Sequence, residues 1–161
     1  MKLITVDTIL VKQLSSFASD VFIDYYNDFI GHEQVQYMAN MFLSEEAINK
    51  LISKGAIFKL VYENQSPVAF CEYVIDGNKV FLSKFYVEKT YRNKGIGRMM
   101  LNSCIDYAKQ NNINLIYLTV NKNNKASIDK YLHIGFKVID AVVNDIGNNY
   151  VMDDYIMQLQ I

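Results

Sequence analysis

The sequence has few residues that could hold a metal or build a disulfide framework. It contains two cysteines, Cys71 and Cys104, which do not form a CxxC pair, and two histidines, His32 and His133, which lack metal-ligand spacing. We therefore expect no metal site and two buried thiols that behave as small hydrophobic side chains. So few cysteines are typical of a reducing compartment, so we expect a cytoplasmic protein.

Long apolar runs and linkers are also missing. No apolar run approaches the ~18 residues needed to cross a membrane, and the N-terminal "MKLITVDTIL" lacks the apolar core and cleavage site of a signal peptide. The 161 residues show no internal repeat, proline-rich linker or abrupt change of composition. We expect a single domain over residues 1–161, large enough for a proper core, with no membrane partner.

Basic residues are absent from two long stretches, although the net formal charge is only −1. Residues 13–49 and 138–161 contain no Lys or Arg, whereas residues 50–137 hold 14 Lys and Arg against six acids. The chain is thus acidic, then basic, then acidic. Such a partition favours two ligands of opposite sign.

Hydrophobic periodicity predicts an α/β (α+β) fold with one mixed sheet and helices packed on it. The predicted strands are residues 1–6, 56–62, 68–75, 79–87, 113–120, 136–146 and 149–159. The predicted helices are residues 8–26, 33–42, 44–53, a segment that follows the turn near residue 95 and runs to about 109, and 127–133. Ser44 is expected to cap the third of these helices, and Gly55 to end it.

The stretch "YVEKTYRNKGIGRMML", residues 86–101, places two glycines and several cations directly before a helical pattern. Glycine lets the backbone approach a ligand closely, because no Cβ stands in the way. The first amides of a helix lack intrahelical acceptors, and the helix dipole favours an anion there. The turn therefore predicts a pyrophosphate site.

The spacing excludes two common nucleotide sites. The turn lacks the GxxxxGK[ST] pattern of a P-loop, and Met100 occupies the position of the third glycine of a dinucleotide-binding fold. A Rossmann sheet also begins with this loop, whereas here four strands precede it. Alone, the glycines are equally consistent with a tight strand-to-helix connection.

A second pattern follows in "LTVNKNNKASIDKYLHIGF", residues 118–136, and together the two patterns resemble the GNAT superfamily of N-acetyltransferases. The first signature, (Arg/Gln)-x-x-Gly-x-(Gly/Ala), falls on Arg92, Gly95 and Gly97. The second, Asn-x-x-(Ala/Ser)-x-x-x-Tyr-x-x-x-Gly-Phe, falls on Asn124, Ser127, Tyr131, Gly135 and Phe136. The resemblance covers the region from the predicted strand 79–87 to the C-terminus; residues 1–55 share only the order of elements.

The resemblance implies a single N-acetyltransferase domain with a mostly antiparallel sheet and with acetyl-CoA as co-substrate. It implies that one strand, Phe85, Tyr86 and Val87, pairs through its backbone with the pantetheine arm. It places the pyrophosphate on the turn formed by Arg92, Asn93, Lys94, Gly95, Ile96, Gly97 and Arg98. Asn124 would contact the pantetheine, and Lys122 or Lys125 would reach the 3′-phosphate unless they are only a solvated helix start.

The implied reaction is direct attack of a neutral primary amine on the thioester in a ternary complex. A backbone N–H near Val87 would stabilise the oxyanion, and Tyr131 holds the family's general-acid position. Members that acetylate a ribosomal protein's N-terminus carry a glutamate base where this chain has Thr119, which weakens that interpretation. Glu72, in mid-strand, is the first candidate base; Glu33, Asp153 and Asp154 are the alternatives.

In this fold the early helices and the last strands line the acceptor site, and these are the two acidic stretches. We predict that Asp24, Asp28, Glu33 and Asp153 attract a small cationic amine, with a polyamine or diamine first. Tyr25, Tyr26, Phe29, Met38 and Met41 would supply its apolar and cation–π walls, or else belong to the core.

Other acceptors and another class of protein remain open at this point. A protein N-terminus, a lysine side chain or an aminoglycoside is a competing acceptor, and a non-catalytic acyl-CoA-binding regulatory module is the alternative function. Nucleic-acid binding is not expected, because the cations cluster at the phosphate turn. The alternation of the closing strands favours a homodimer.

Overall fold

The structure is a computed structural model, and it describes residues 1–27 and 30–161. The predicted Asp28 and Phe29 therefore lie outside the described residues. The strands are β1 (Lys2–Thr5), β2 (Ile57–Glu63), β3 (Ser66–Asp76), β4 (Lys79–Val87), β5 (Leu115–Asn121), β6 (Lys137–Gly147) and β7 (Tyr150–Gln160). The helices are α1 (Val11–Tyr26), α2 (His32–Leu43), α3 (Glu45–Ser53), α4 (Ile96–Gln110) and α5 (Lys125–Ile134), with a short 3-10 helix at Lys89–Tyr91.

The seven strands form one sheet in the order β1-β2-β3-β4-β5-β7-β6. Every neighbouring pair is antiparallel except β4 and β5, which run parallel. The predicted α/β fold, a mixed and mostly antiparallel sheet flanked by helices, is confirmed.

The parallel pair is unusually short. β4 and β5 are in register only at Val80 with Ile116 and Phe81 with Tyr117, although both strands continue beyond these residues. The strands therefore diverge, and on the β5 side the backbone of residues 82–87 faces a gap, while on its other side it pairs with β3. This gap positions the site described below.

Two apolar layers cover the sheet. On one face, α4 buries Met100, Cys104 and Ala108 against the sheet. On the other face, α1 buries Leu14 and Ala18 in a second cluster that also includes side chains of α2 and α3. Cys71 and Cys104 are both fully buried free thiols, as expected.

Local hydrogen bonds explain where the helices begin. The Asp7 carboxylate accepts from the amides of Ile9 and Leu10, which holds a turn ahead of the helix, and α1 consequently starts at Val11 rather than at the predicted residue 8. Ser44 caps α3 as predicted, since its hydroxyl accepts from Ala47 N at 3.3 Å. Among the described residues, no helix is both long and apolar enough to cross a membrane.

Candidate active site

A cleft of about 1240 Å³ opens where β4 and β5 diverge. Its walls are the ends of these two strands, the glycine turn of residues 92–98 that leads into α4 (the phosphate turn), the first turns of α5, and the end of α1. The predicted cofactor residues that line it are Phe85, Tyr86, Val87, Arg92, Asn93, Gly95, Ile96, Gly97, Arg98 and Asn124. The structure thus brings most of the two signature patterns to one cavity.

The turn before α4 has a backbone that only certain residues adopt readily. Gly95 has a φ of +81° and Asn93 a φ of +63°, both in the left-handed region. Gly95 occupies the N-cap of α4 without a side-chain cap. The amides of Ile96, Gly97 and Arg98, the first three of the helix, therefore have no intrahelical acceptor and lie at the cleft wall.

Positive charge surrounds this turn. The cleft lining includes six cations, Lys89, Arg92, Arg98, Lys109, Lys125 and Lys130, against two carboxylates, Asp24 and Asp129. Arg92 is fixed in place, because its Nε donates to Val87 O at 3.1 Å and its guanidinium lies 5.1 Å from the Tyr25 ring centroid. Lys94 is outside the lining and lies over the Tyr91 ring, 4.6 Å from its centroid.

The backbone of β4 presents free polar groups to the cleft. Glu88 N donates to Val68 O on the β3 side at 2.9 Å. Because successive amides of a strand point in opposite directions, the N–H of Val87 points away from β3 and towards the gap. The Val87 carbonyl faces the same side, where it accepts from Arg92. This N–H has the orientation that an oxyanion donor requires.

Tyr131 lies in the cleft wall, packed between aromatic rings. Its centroid is 5.4 Å from that of Phe136 and 6.5 Å from that of Phe85. Burial raises the pKa of Tyr131 well above its usual range, and the neighbouring Tyr26 and Tyr25 add to this effect. The phenol is consequently protonated near neutral pH and can serve as a proton donor.

A hydrogen-bonded bridge joins α1 to α5 across the cleft. The Tyr25 hydroxyl donates to Asn124 Oδ1 at 2.9 Å and lies 2.7 Å from Ser127 Oγ. Asn124 Oδ1 also accepts from Ser127 N at 3.2 Å, so Asn124 is the N-cap of α5. Asn124, the predicted pantetheine contact, is thus a buried capping residue that α1 holds through Tyr25.

Glu72, the first candidate base, is not placed at the cleft. Its carboxylate is 1% exposed and forms an ion pair with Lys84 across the β3–β4 register. Lys84 in turn lies 5.7 Å from the Phe58 ring centroid, and none of the three residues lines the cleft. Loss of the Glu72 carboxylate would leave the Lys84 charge buried without a partner, so the structure favours a structural role for Glu72.

The predicted acceptor carboxylates separate in space. Asp24 is exposed at the end of α1 and lines the cleft. Glu33 is exposed in the first turn of α2, outside the lining. Asp153 is likewise outside the lining, half-exposed and ion-paired with Lys122. Of the two lysines predicted to reach the 3′-phosphate, Lys125 lines the cleft and Lys122 does not.

The sequence did not indicate that Thr119, in the cleft wall, and Asp154, outside the lining, are neighbours. Asp154, one of several alternative bases, is 2% exposed and lies beside Thr119, which lines the cleft. Burial raises the pKa of Asp154 to about 6, the Asp153 charge raises it further, and the neighbouring Thr119 hydroxyl and the Lys122 charge lower it. The signal in the sequence was only the doublet Asp153-Asp154 in an alternating strand, which puts one carboxylate on each face.

The model of the acetyltransferase (GNAT) family matches residues 19–136, from the middle of α1 to the second residue after α5. The chain belongs to the GNAT family. This domain is therefore an acyltransferase of the N-acetyltransferase type, and acetyl-CoA is its co-substrate.

Two curated relatives match part of the chain. An uncharacterised N-acetyltransferase of Methanocaldococcus jannaschii is 29% identical over 86 residues, covering 49% of this chain and 38% of the relative. The spermine/spermidine N(1)-acetyltransferase of Bacillus subtilis strain 168 is 34% identical over 71 residues, covering 42% of this chain and 47% of the relative. The matched segments thus span less than half the length of either relative.

A solved structure matches the whole chain. The crystal structure of PaiA N-acetyltransferase from Thermoplasma acidophilum in complex with coenzyme A superposes with a TM-score of 0.83 and covers 100% of both chains. The sequences are 21% identical, so this likeness shows the GNAT fold. Among the described residues, no cluster of His, Cys, Asp or Glu suits a metal ion.

The cleft fits acetyl-CoA on its own features. Its volume exceeds the ~300–1,000 Å³ of ordinary small-molecule pockets. The cationic turn with free helix amides suits a pyrophosphate, and the unpaired edge of β4 suits the amides of a pantetheine arm.

Proposed function

We propose that this protein transfers the acetyl group of acetyl-CoA to the primary amine of a small cationic acceptor, with a polyamine or diamine first. One observation carries the proposal. The cleft is cationic where the phosphate turn begins α4, whereas its α1 side presents the Asp24 carboxylate and a group of tyrosines. A cavity with ends of opposite character suits an anionic donor and a cationic acceptor.

The donor would be held mainly by main-chain groups. The amides of Ile96, Gly97 and Arg98 would bind the pyrophosphate, and Arg92 and Lys125 would add charge. The free backbone edge of Phe85 and Val87 would pair with the pantetheine arm as a missing strand would. Asn124 would border that arm from the cap of α5.

The acceptor would approach from α1. Asp24 is solvent-exposed at the cleft, so it can attract a cation without the cost of burying its own charge. Tyr25, Tyr26 and Tyr86 line the adjoining wall, with ring centroids 5.2 to 6.1 Å apart. Such rings stabilise an alkylammonium by cation–π contact at ~0.5–2 kcal/mol.

Tyr131 and Val87 supply the chemistry at the thioester. The amine attacks the carbonyl carbon, and the N–H of Val87 stabilises the charge that develops on the oxygen. When the C–S bond breaks, the Tyr131 phenol gives its proton to the departing thiolate, and the attacking nitrogen loses a proton that restores the phenol. The products are an N-acetylated amine and free CoA.

The names of relatives are consistent with this acceptor. The matched Bacillus subtilis protein is a spermine/spermidine N(1)-acetyltransferase, and a second Bacillus relative, 35% identical over 71 residues, is a probable spermine N(1)-acetyltransferase. Both matches cover 42% of this chain.

The direct test is release of free thiol from acetyl-CoA with a panel of amines: spermidine, spermine, short diamines, an aminoglycoside and basic peptides. We expect turnover with the polyamines or diamines, and mass spectrometry should find a single added acetyl group. Turnover with peptides alone would contradict the small-amine proposal and favour a protein acceptor. Acetyl-CoA binding without turnover across the panel would contradict it in favour of a specialised protein acceptor or a regulatory module.

A further inference from the structure

Asp154 is a buried carboxylate with an unpaired oxygen. Among the described residues, its Oδ1 is the buried side-chain oxygen or nitrogen that has no hydrogen-bond partner. A buried acceptor without a donor costs ~1–3 kcal/mol, and more for a charged group. Glu72, the other buried acid in the described part of the chain, avoids this cost through its ion pair with Lys84. A solvent-exposed carboxylate at this position would not carry this free-energy cost, so the burial of Asp154 indicates a function.

The position of Asp154 explains what that role can be. It lies on β7 opposite Asn121 of β5, and its neighbour Asp153 points to the opposite face, where it is half-exposed and ion-paired with Lys122. Side chains two residues apart share a face, so Thr119 lies diagonally beside Asp154 on the side covered by α1. Thr119 lines the cleft, whereas Asp154 is buried and outside the lining.

We propose that Asp154 accepts the proton of the acceptor's ammonium group, and that the Thr119 hydroxyl relays it. This inference rests on the proposed function, because it supplies the proton acceptor that amine attack requires. Thr119 touches the amine; Asp154 acts through it.

The step balances without any other reactant. The ammonium N–H donates to Thr119 Oγ1 while the Thr119 O–H donates to the Asp154 carboxylate, so one N–H bond breaks and one carboxyl O–H bond forms. The threonine ends with a hydroxyl, and the neutral amine keeps the electron pair that attacks the thioester. Asp154 later returns the proton to solvent, which accounts for the proton that acetylation of an ammonium releases.

The charges around Asp154 suit this task. Burial and Asp153 on its own strand both favour the protonated acid, while the Thr119 hydroxyl and Lys122, directly after β5, favour the carboxylate. From α1, Tyr26 faces Asp154 and is neutral, because burial raises the pKa of its phenol far above neutrality. The resulting pKa of about 6 leaves Asp154 ionised at neutral pH, yet with a higher proton affinity than a solvated carboxylate has.

The experiment compares pH profiles of kcat and kcat/KM for the whole protein, with the best amine of the panel. The variants are Asp154→Asn, Thr119→Val, Thr119→Ser, and, as the matched control, Asp106→Asn, which changes an exposed carboxylate of α4 outside the cleft lining. We expect Asp154→Asn and Thr119→Val to lower kcat by ~100-fold or more at pH 7.5 and to lose the acidic limb near pH 6. Thr119→Ser keeps the relaying hydroxyl, so its kcat should stay within ~threefold of wild type, as should that of Asp106→Asn.

Three further outcomes separate the explanations. The deficit of Asp154→Asn should shrink above pH ~10, where an alkylamine is already neutral and needs no base. Acetyl-CoA binding unchanged in both slow variants will show that they are folded. Wild-type kcat and an intact acidic limb in Asp154→Asn would overturn this inference alone, whereas a wild-type enzyme inactive on every amine would overturn the proposed function and this inference with it.

Discussion

The Tyr25 hydroxyl donates to Asn124 Oδ1 over 2.9 Å, and this bond ties the last turn of α1 to the cap of α5. The same hydroxyl is 2.7 Å from Ser127 Oγ. Residues separated by about a hundred positions thus hold the two sides of the cleft at a fixed distance. Several measurable consequences follow from this bridge and from the cleft that it spans.

Tyr25→Phe should destabilise the protein without removing the ring. The variant loses two side-chain hydrogen bonds at ~0.5–1.5 kcal/mol each, so we expect the free energy of unfolding to fall by ~1–3 kcal/mol and the affinity for acetyl-CoA to weaken. Chemical denaturation and calorimetric titration measure the two effects. Tyr155→Phe, at a half-buried position of β7, is the matched control. Unchanged stability in Tyr25→Phe would show that the bridge contributes nothing.

Tyr131→Phe should lower kcat by ~10²–10⁴-fold, because the thiolate loses its proton donor. Acetyl-CoA affinity should change little, since the ring and its contacts with Phe85 and Phe136 remain. Steady-state kinetics and a binding isotherm separate these quantities. Tyr117→Phe, outside the cleft lining, removes a phenol that bonds to Asp76 and should leave kcat unaltered. A kcat within threefold of wild type in Tyr131→Phe would rule out the general acid.

The two glycines of the turn should fail in different ways. Alanine at Gly95 must adopt a φ of +81°, which costs ~1–2 kcal/mol, so stability should fall. Alanine at Gly97 places its Cβ 3.6 Å from the Phe85 ring, an ordinary contact. Gly97→Ala should therefore fold normally but weaken acetyl-CoA binding by ~tenfold, equivalent to ~1.4 kcal/mol. Melting curves with and without ligand test both, and wild-type affinity in Gly97→Ala would show that the backbone makes no close approach there.

Asp24→Asn should raise the KM for a polyamine by ~two- to fivefold, the effect of an exposed charge worth ~0.5–1 kcal/mol. The rise should be larger at low than at high ionic strength, because salt screens exposed charges. Asp20→Asn, on the same helix and exposed but outside the lining, should behave as wild type. Equal KM values for the two variants would remove Asp24 from the acceptor site.

Asp154→Asn should stabilise the fold at neutral pH. The folded-state pKa is raised from 3.8 to about 6, so the folded protein binds more protons than the unfolded chain between these values. Stability of the wild type therefore falls as pH rises from ~4 to ~6, and the penalty persists above pH 6. Removing it should gain ~1–3 kcal/mol at pH 7.5 and little at pH 4. Thermal melts at both pH values give the answer, and an equal shift at both would contradict it.

Much of the donor side was predictable because its signals are local. The bounds of β4 were predicted to the residue, and the glycine turn, the helix that follows it and the Asn124 cap each lie within a few positions of one another. Backbone conformation and helix-end electrostatics act over that distance, so a short segment carries the information.

The carboxylates could not be assigned in the same way, because their roles depend on register. The β3–β4 hairpin starts with Asp76 opposite Lys79, and continued pairing would put Glu72 opposite Ser83. An irregularity between Glu72 and Tyr73 shifts the register by one residue and brings Lys84 to Glu72 instead. The contact of Thr119 with Asp154 likewise joins strands 35 positions apart in sequence.

The short junction of β4 and β5 has a consequence for how the molecule comes apart. Only two paired residues on each strand join β4 to β5 in the described structure. The sheet therefore consists of two groups of strands, β1 to β4 and β5 to β7, with a short junction between them. Acetyl-CoA bound along the free edge of β4 would contact both groups of strands and hold them together. Without the co-substrate, β4 and β5 should then separate before the rest of the sheet. When acetyl-CoA is added, amide hydrogen exchange in residues 115–121 should slow more than that in β2.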